Sequence, residues 1–155
     1  MKISTKEDIA APIERVFAEI SDFQSLERAA LRRGAEVSRV DDQNGPCAGM
    51  AWDAKFDLRG KRRELHLELI RHDPPDTLVF ASRSPNMSGG MTLDLVALSR
   101  NSTRMNIEIE MEPRTLSGRL LIQSLKLARN SMMKKFRANV DKYARGIEER
   151  YAKST

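Results

Sequence analysis

The sequence predicts an α+β fold in which an antiparallel sheet of about seven strands wraps around a long C-terminal helix. Between Glu36 and Pro113, apolar and polar residues alternate with period two, as in strands that are covered on one face only. Beyond Pro113, apolar residues recur every three or four positions over about seven turns, which indicates one continuous amphipathic helix. The stripe of this helix consists of Leu121, Leu125, Ala128, Met132, Phe136, Val140, Tyr143 and Ile147.

Residues 2–10 predict the first strand, and two short helices follow it. Ala11-Pro12 opens the first helix, because proline lacks an N–H that would be unpaired there in any case. Asp22 is a suitable N-cap for the second helix, which Gly34 ends. The apolar residues of the two helices are Ile13, Val16, Phe17 and Ile20 in the first, and Leu26, Ala30 and Leu31 in the second.

Turn signals divide the remaining chain into short antiparallel hairpins. Asn44-Gly45-Pro46, Gly60-Lys61, Pro74-Pro75-Asp76 and Asn101-Ser102 are predicted turns, and residues 85–90 are predicted to form a loop before the strand that begins at Met91. The chain contains no repeat, low-complexity segment or linker. The whole sequence, residues 1–155, is therefore predicted to form a single domain.

This order of elements resembles the helix-grip fold of the START/polyketide-cyclase superfamily (SRPBCC). The sharpest local match is Ile-Ala-Ala-Pro-Ile-Glu-Arg-Val-Phe at residues 9–17, followed by Ile-Ser-Asp-Phe at residues 20–23. The resemblance implies an elongated cavity between the curved sheet and the last helix, used for lipids, sterols, quinones, polyketides or hormones. Some members are cyclases or hydrolases and many only bind. The matching motif concerns packing of the first helix, so no catalytic residue is carried over.

The phases of the strands and the helix select a set of inward side chains as candidate ligand-binding residues. Binding cavities combine apolar walls with a few polar groups that orient the ligand. The same side chains could equally fill a solid core, in which the many methionines would occupy irregular gaps. The candidates are Trp52, Phe56, Leu67, Phe80, Ser82, Met91, Leu93, Met105, Ile107, Ser124, Ala128, Met132 and Tyr143.

No catalytic constellation, metal motif or cofactor motif is recognisable. Inward positions lack His, Asp and Glu almost entirely, and Tyr143, with an ordinary pKa near ~10, is a poor base. His66 is predicted on the polar face between Glu64 and Glu68. A cyclase- or dehydratase-like enzyme stays open as an alternative, because one β-bulge would reverse the phase of a strand.

The basic character of the chain belongs to its last part. From Arg114 onward there are 11 Lys and Arg and three acidic residues. A basic helix face is usually solvated, but anionic membranes attract such faces by roughly 1 kcal/mol per residue. Nucleic acid is not predicted, because stacking aromatic residues are scarce on the polar faces. The outward basic residues of the helix are Lys126, Arg129, Lys134, Arg137, Lys142 and Arg145.

Three functional hypotheses follow. The first is a carrier or sensor of a small hydrophobic ligand such as a lipid, quinone or polyketide-like molecule; the second is the enzyme described above; the third is a module that docks on anionic membranes or an acidic partner. The N-terminal residues 1–8 lack the apolar core of a secretory signal, and the single Cys47 suits a reducing compartment, so a cytoplasmic location is expected. The sequence is compatible with an oligomer.

Overall fold

A computed structural model describes residues Met1–Thr155 and shows one seven-stranded sheet with four helices. The main hydrophobic core lies between one face of the sheet and helices α1, α2 and α4, so this face is the inner face. The elements, in chain order, are β1 (Lys2–Ile9), α1 (Ile13–Ile20), α2 (Phe23–Arg32), β2 (Glu36–Arg39), β3 (Ala51–Leu58), β4 (Lys61–Asp73), β5 (Thr77–Arg83), β6 (Met87–Ser99), β7 (Ser102–Pro113), α3 (Leu116–Leu127) and α4 (Arg129–Ser154).

The sheet confirms the predicted antiparallel architecture. Its strand order is β1-β7-β6-β5-β4-β3-β2, and every neighbouring pair is antiparallel. The strands from β2 to β7 form a meander, whereas β1 and β2 lie at opposite edges. Helices α1 and α2 therefore carry the chain from one edge of the sheet to the other, across its inner face.

The two short helices begin where the sequence predicts. Pro12 is the extended residue before α1. Asp22 caps α2, since its Oδ1 accepts a hydrogen bond from the Ser25 amide at 3.3 Å. The apolar side of α2 differs from the expectation, because Leu26 and Leu31 are exposed and Phe23 is the buried residue. Only the first turn of α2 thus reaches the core.

Residues Met87–Gly90 are part of strand β6, so the prediction of a loop there is wrong. Gly89 pairs with Ser82 of β5 and with Met111 of β7, and Gly90 continues both ladders. A Cβ atom on Gly90 would lie 2.7 Å from the Phe80 carbonyl oxygen, and one on Gly89 would overlap the Glu110 carbonyl oxygen. The glycines therefore mark close contact between strands, which their usual association with turns concealed.

The C-terminal region is two helices, so the prediction of one continuous helix is wrong. Ala128 separates α3 from α4 and has φ −99° and ψ 19°, outside the regular α-helical values. In α4, Val140 and Ile147 of the predicted stripe are buried, as expected. Met133 is buried instead of the predicted Met132, and Ala144 is more deeply buried than the predicted Tyr143.

The packed core occupies the part of the inner face that α1, α2 and α4 cover. Phe23, Trp52 and Phe80 form an aromatic group with ring centroids 5.2–6.1 Å apart. Trp52 Nε1 donates to Glu27 Oε1 at 2.7 Å, which ties α2 to the sheet. Thr103 is fully buried and donates its hydroxyl hydrogen to the Ala11 carbonyl oxygen at 2.8 Å, which fixes the entry to α1.

Leu78 and Leu127 are matched probes of this packing, because Leu78 has no exposed surface and Leu127 is 91% exposed. Leu78→Ala should lower the free energy of unfolding by about 2–5 kcal/mol, since it leaves a cavity in the core. Leu127→Ala should change it by less than about 0.5 kcal/mol. Urea unfolding of both variants measures the difference; equal losses would contradict the described core.

Candidate ligand-binding cavity

A cavity of 840 Å³ lies between α3 and the inner face of strands β3 to β7. This volume falls within the range of about 300–1,000 Å³ that is usual for small-molecule sites. Apolar side chains form most of its wall. They are Phe56, Leu58, Leu65, Leu67, Met87, Met91, Ile109, Met111, Leu121 and Leu125.

The cavity exists because the inner-face side chains of β5 and β6 become small toward one end of these strands. One transverse row of paired residues contains Leu67, Ser82, Gly89 and Met111, so its centre carries almost no side chain. The next row contains Phe80 at the corresponding position of β5 and belongs to the packed core. The change from Phe80 to Ser82 and Gly89 opens space that no helix side chain fills.

Helix α3 is fixed over this space at both of its ends. Gly118 lies against the backbone of Asn86, at the turn between β5 and β6, and Asn86 Nδ2 donates to Ser117 Oγ at 3.2 Å. Thr115 caps the helix by accepting from the Gly118 amide at 3.2 Å. At the other end, Arg59 Nη2 donates to the Ser124 carbonyl oxygen at 3.3 Å. The cavity lies between these two attachments.

The predicted candidates occupy three different places. Phe56, Leu67, Ser82 and Met91 line the cavity. Another group belongs to the packed core: Trp52, Phe80, Leu93, Met105 and Ile107. The remaining candidates lie in the C-terminal region, on α3, on α4 or between them, outside the cavity wall: Ser124, Ala128, Met132 and Tyr143. Their roles in ligand binding stay predictions.

Tyr143 belongs to the contact between α4 and α1. Its hydroxyl group donates to the Glu19 carbonyl oxygen at 3.2 Å. Burial raises the pKa of the Tyr143 phenol well above its ordinary value, and the nearby Glu19 carboxylate raises it further. The hydroxyl is therefore a hydrogen-bond donor that holds two helices together, and it does not reach the cavity.

Several cavity residues were not selected from the sequence although their phase was visible. Leu65 and Arg63 continue the inward phase of Leu67 and Leu69 along β4, and both line the cavity. Leu121 and Leu125 belong to the predicted helical stripe. The sequence did not indicate at which end of the sheet the cavity lies, because this depends on where α3 ends and α4 begins.

The charges around the cavity are distributed unevenly. Glu64 and Glu110 border it, but their carboxylates pair with Lys55 at 3.8 Å and with Lys2 at 3.3 Å, among the exposed side chains of the outer face. Arg63 is half-buried, and its Nε donates to the Leu58 carbonyl oxygen at 3.0 Å. The cavity thus has no acid–base pair to assign to the alternative of a cyclase- or dehydratase-like enzyme.

A second depression of 510 Å³ lies on the outer face, and most of the residues that line it are polar or charged. His66 lies there on the exposed face, as predicted, and its Nδ1 is 2.7 Å from Asp53 Oδ1. No group of three or more His, Cys, Asp or Glu side chains is arranged to hold a metal ion. The 840 Å³ cavity is the stronger candidate because its wall is mainly apolar.

Alanine substitutions at two helical glycines, Gly118 in α3 and Gly146 in α4, distinguish the effect of α3 packing from the effect of helix propensity. Gly118→Ala should lower the free energy of unfolding by about 1–3 kcal/mol, because the added Cβ overlaps the Asn86 backbone. Gly146→Ala should raise it by up to about 1 kcal/mol, because its Cβ meets only the flexible end of Arg150. Thermal and urea unfolding measure both; a stabilising Gly118→Ala would contradict the seating of α3.

Comparison with known structures supports the architecture. The chain is similar to the aromatase/cyclase Zhui from Streptomyces sp. R1128, with a TM-score of 0.71 and 14% identity over 97% of this chain and 95% of that one. It is also similar to the protein TTHA0849 from Thermus thermophilus, with a TM-score of 0.64 and 19% identity over 100% and 99% of the two chains.

A START superfamily protein from Mycobacterium smegmatis has a TM-score of 0.58 and 12% identity over 86% of this chain and 95% of its own. At these identities the likeness concerns the fold, which is the predicted helix-grip fold. No curated protein matches the sequence. The profile of the family described as polyketide cyclase/dehydrase and lipid transport matches residues 1–148. The chain therefore belongs to the polyketide cyclase/dehydrase and lipid transport family of the SRPBCC superfamily.

Proposed function

We propose that this protein binds a small hydrophobic molecule, such as a lipid, quinone or polyketide-like compound, in the cavity between α3 and the sheet. The observation that carries the proposal is the mainly apolar wall of an 840 Å³ cavity in an otherwise packed protein. A ligand that buries about 300 Å² of apolar surface there would gain roughly 7 kcal/mol, before the entropic cost of association. The family description, which includes lipid transport, agrees with this chemistry.

The polar groups of the wall would orient the ligand. Ser82 lies at the centre of the transverse row that Leu67 and Met111 flank. Ser84 and Asn86 lie at the end of the cavity where α3 is attached. Ser84 Oγ is already engaged with Asn86 Oδ1 at 3.2 Å, so this end is an ordered polar rim. The ligand would then be held mainly by apolar contact, with hydroxyl and amide groups at one end.

Filling the cavity tests the proposal. Ser82→Phe should remove binding, because the ring would occupy the space above Gly89. Ala81→Phe is the matched control, since residue 81 precedes Ser82 on β5 and points to the outer face. Displacement of the neutral dye Nile red, together with native mass spectrometry of gently purified protein, reports on occupancy. Failure of the wild type to bind any apolar probe, or equal binding by Ser82→Phe, would refute the proposal.

A second candidate function, docking on an anionic membrane, is favoured by the exposed leucines of α3 and the basic first turns of α4. Leu116, Leu120 and Leu127 are 73%, 58% and 91% exposed, and their spacing places them on one side of the helix. Between Arg114 and Val140 the chain has seven Lys and Arg and no acidic residue. Exposed leucines flanked by cations are typical of helices that lie at a membrane interface. No helix has the length and hydropathy needed to cross a bilayer.

Vesicle sedimentation distinguishes the contribution of the basic residues from that of the exposed leucines. Binding to phosphatidylcholine vesicles that contain phosphatidylserine should exceed binding to phosphatidylcholine alone and should fall with added salt. Reversing Lys134, Lys135 and Arg137, all on α4, to Glu should weaken binding about 100-fold, at about 1 kcal/mol for each basic residue removed. Replacing Leu116, Leu120 and Leu127 by Ser should weaken it without changing its salt dependence.

Arg100→Glu is the control for these variants, because Arg100 lies in the β6–β7 turn, at the opposite end of the strands from α3. Its vesicle binding should equal that of the wild type. If the reversed and wild-type proteins sediment equally, membrane docking through this surface is refuted, while ligand binding in the cavity is unaffected.

A further inference from the structure

Arg63 is the one ionisable side chain that the strand phase places on the inner side of the cavity wall. It pairs across the β3–β4 hairpin with Phe56, which also lines the cavity, and it shares the phase of Leu65 and Leu67. The Nε–H of its guanidinium group is bonded to the Leu58 carbonyl oxygen at 3.0 Å. This bond fixes the guanidinium beside the apolar wall at the hairpin end of the cavity.

No carboxylate neutralises Arg63. The other charged residues that border the cavity are paired with residues outside its wall: Arg62 with Asp57 at 3.3 Å and Glu36 at 3.6 Å, Glu64 with Lys55, and Glu110 with Lys2. The inner surfaces of β5, β6, β7 and α3 contribute hydroxyl, amide and apolar groups to the cavity. A half-buried cation without a counterion is therefore left at the hairpin end of an apolar space.

An unpaired guanidinium group beside an apolar wall suits a ligand that carries both an apolar part and a negatively charged group. Both Nη atoms of Arg63 retain their hydrogens, because only Nε is engaged. A guanidinium group presents two parallel N–H bonds that match the two oxygens of a carboxylate. One unpaired cation balances one negative charge, whereas a doubly charged phosphate would need a second cation, and the neighbouring Arg62 is already paired.

We propose that the cavity selects amphipathic molecules with a single carboxylate, whose head group binds Arg63 and whose apolar part lies along Leu65, Leu67 and Met91. This inference rests on the proposed function and adds to it the class of ligand. The cost of partly burying the guanidinium group in the free protein is offset when the carboxylate binds. Neutral molecules of the same shape bind the apolar wall without that compensation.

Palmitic acid and its methyl ester, compared by displacement of Nile red at neutral pH, test the inference. The wild type should bind the acid about 10- to 100-fold more tightly than the ester, as expected for a charge-assisted pair of hydrogen bonds. Arg63→Met keeps the apolar stem and removes the charge, so it should lose this preference and retain ester binding. Arg63→Lys should keep an intermediate preference, because a charge remains without the paired geometry.

Arg83→Met is the matched control, since Arg83 is an exposed arginine on the outer face of β5 and does not border the 840 Å³ cavity. It should keep the full preference of the wild type for the acid. Equal binding of acid and ester by the wild type would overturn the assignment of Arg63 while leaving hydrophobic ligand binding intact. Loss of Nile red, acid and ester binding together would overturn both proposals. The wild-type comparison decides the question even if Arg63→Met fails to fold.

Discussion

Burial of the inner face of the sheet is the contact on which the rest of this structure depends. One region of that face is closed by α1, α2 and α4 around Phe80, Trp52 and the buried residues of α4. This packed region supplies most of the core, so it can hold the strands rigid while the neighbouring region stays hollow. A cavity of 840 Å³ in a chain of this size is compatible with stability because packing is concentrated elsewhere.

Helix α3 has an unusual position because it is apolar on both sides. Its inner side, with Leu121 and Leu125, forms a wall of the cavity, and its outer side exposes Leu116, Leu120 and Leu127. It is attached through Gly118 at one end and Arg59 at the other, and Ala128 separates it from α4. A membrane that bound the outer leucines would therefore contact the same helix that forms a wall of the cavity.

Charged side chains are arranged differently on the inner and outer faces of the sheet. Outer-face charges are arranged as exposed cross-strand pairs, such as Lys55 with Glu64, which contribute little to stability. The inward Arg63 donates only to a backbone carbonyl oxygen and pairs with no carboxylate, and residues 114–140 include no acidic residue. Both observations favour anionic partners, one as the head group of a ligand and the other as a surface, and each can be tested without the other.

The sequence by itself determined the elements with strong local signals. Period-two alternation defined the strands, the Asp22 cap started α2, and the element order identified the helix-grip fold, because these signals depend on neighbouring residues in the chain. Tertiary structure decided what local signals could not. It placed Gly89 and Gly90, which were predicted in a loop, within strand β6, and it divided the predicted last helix at Ala128. It also separated the candidates that line the cavity from those in the core. Whether an inward residue meets a partner or empty space depends on side chains distant in sequence, and no periodicity within one segment contains that information.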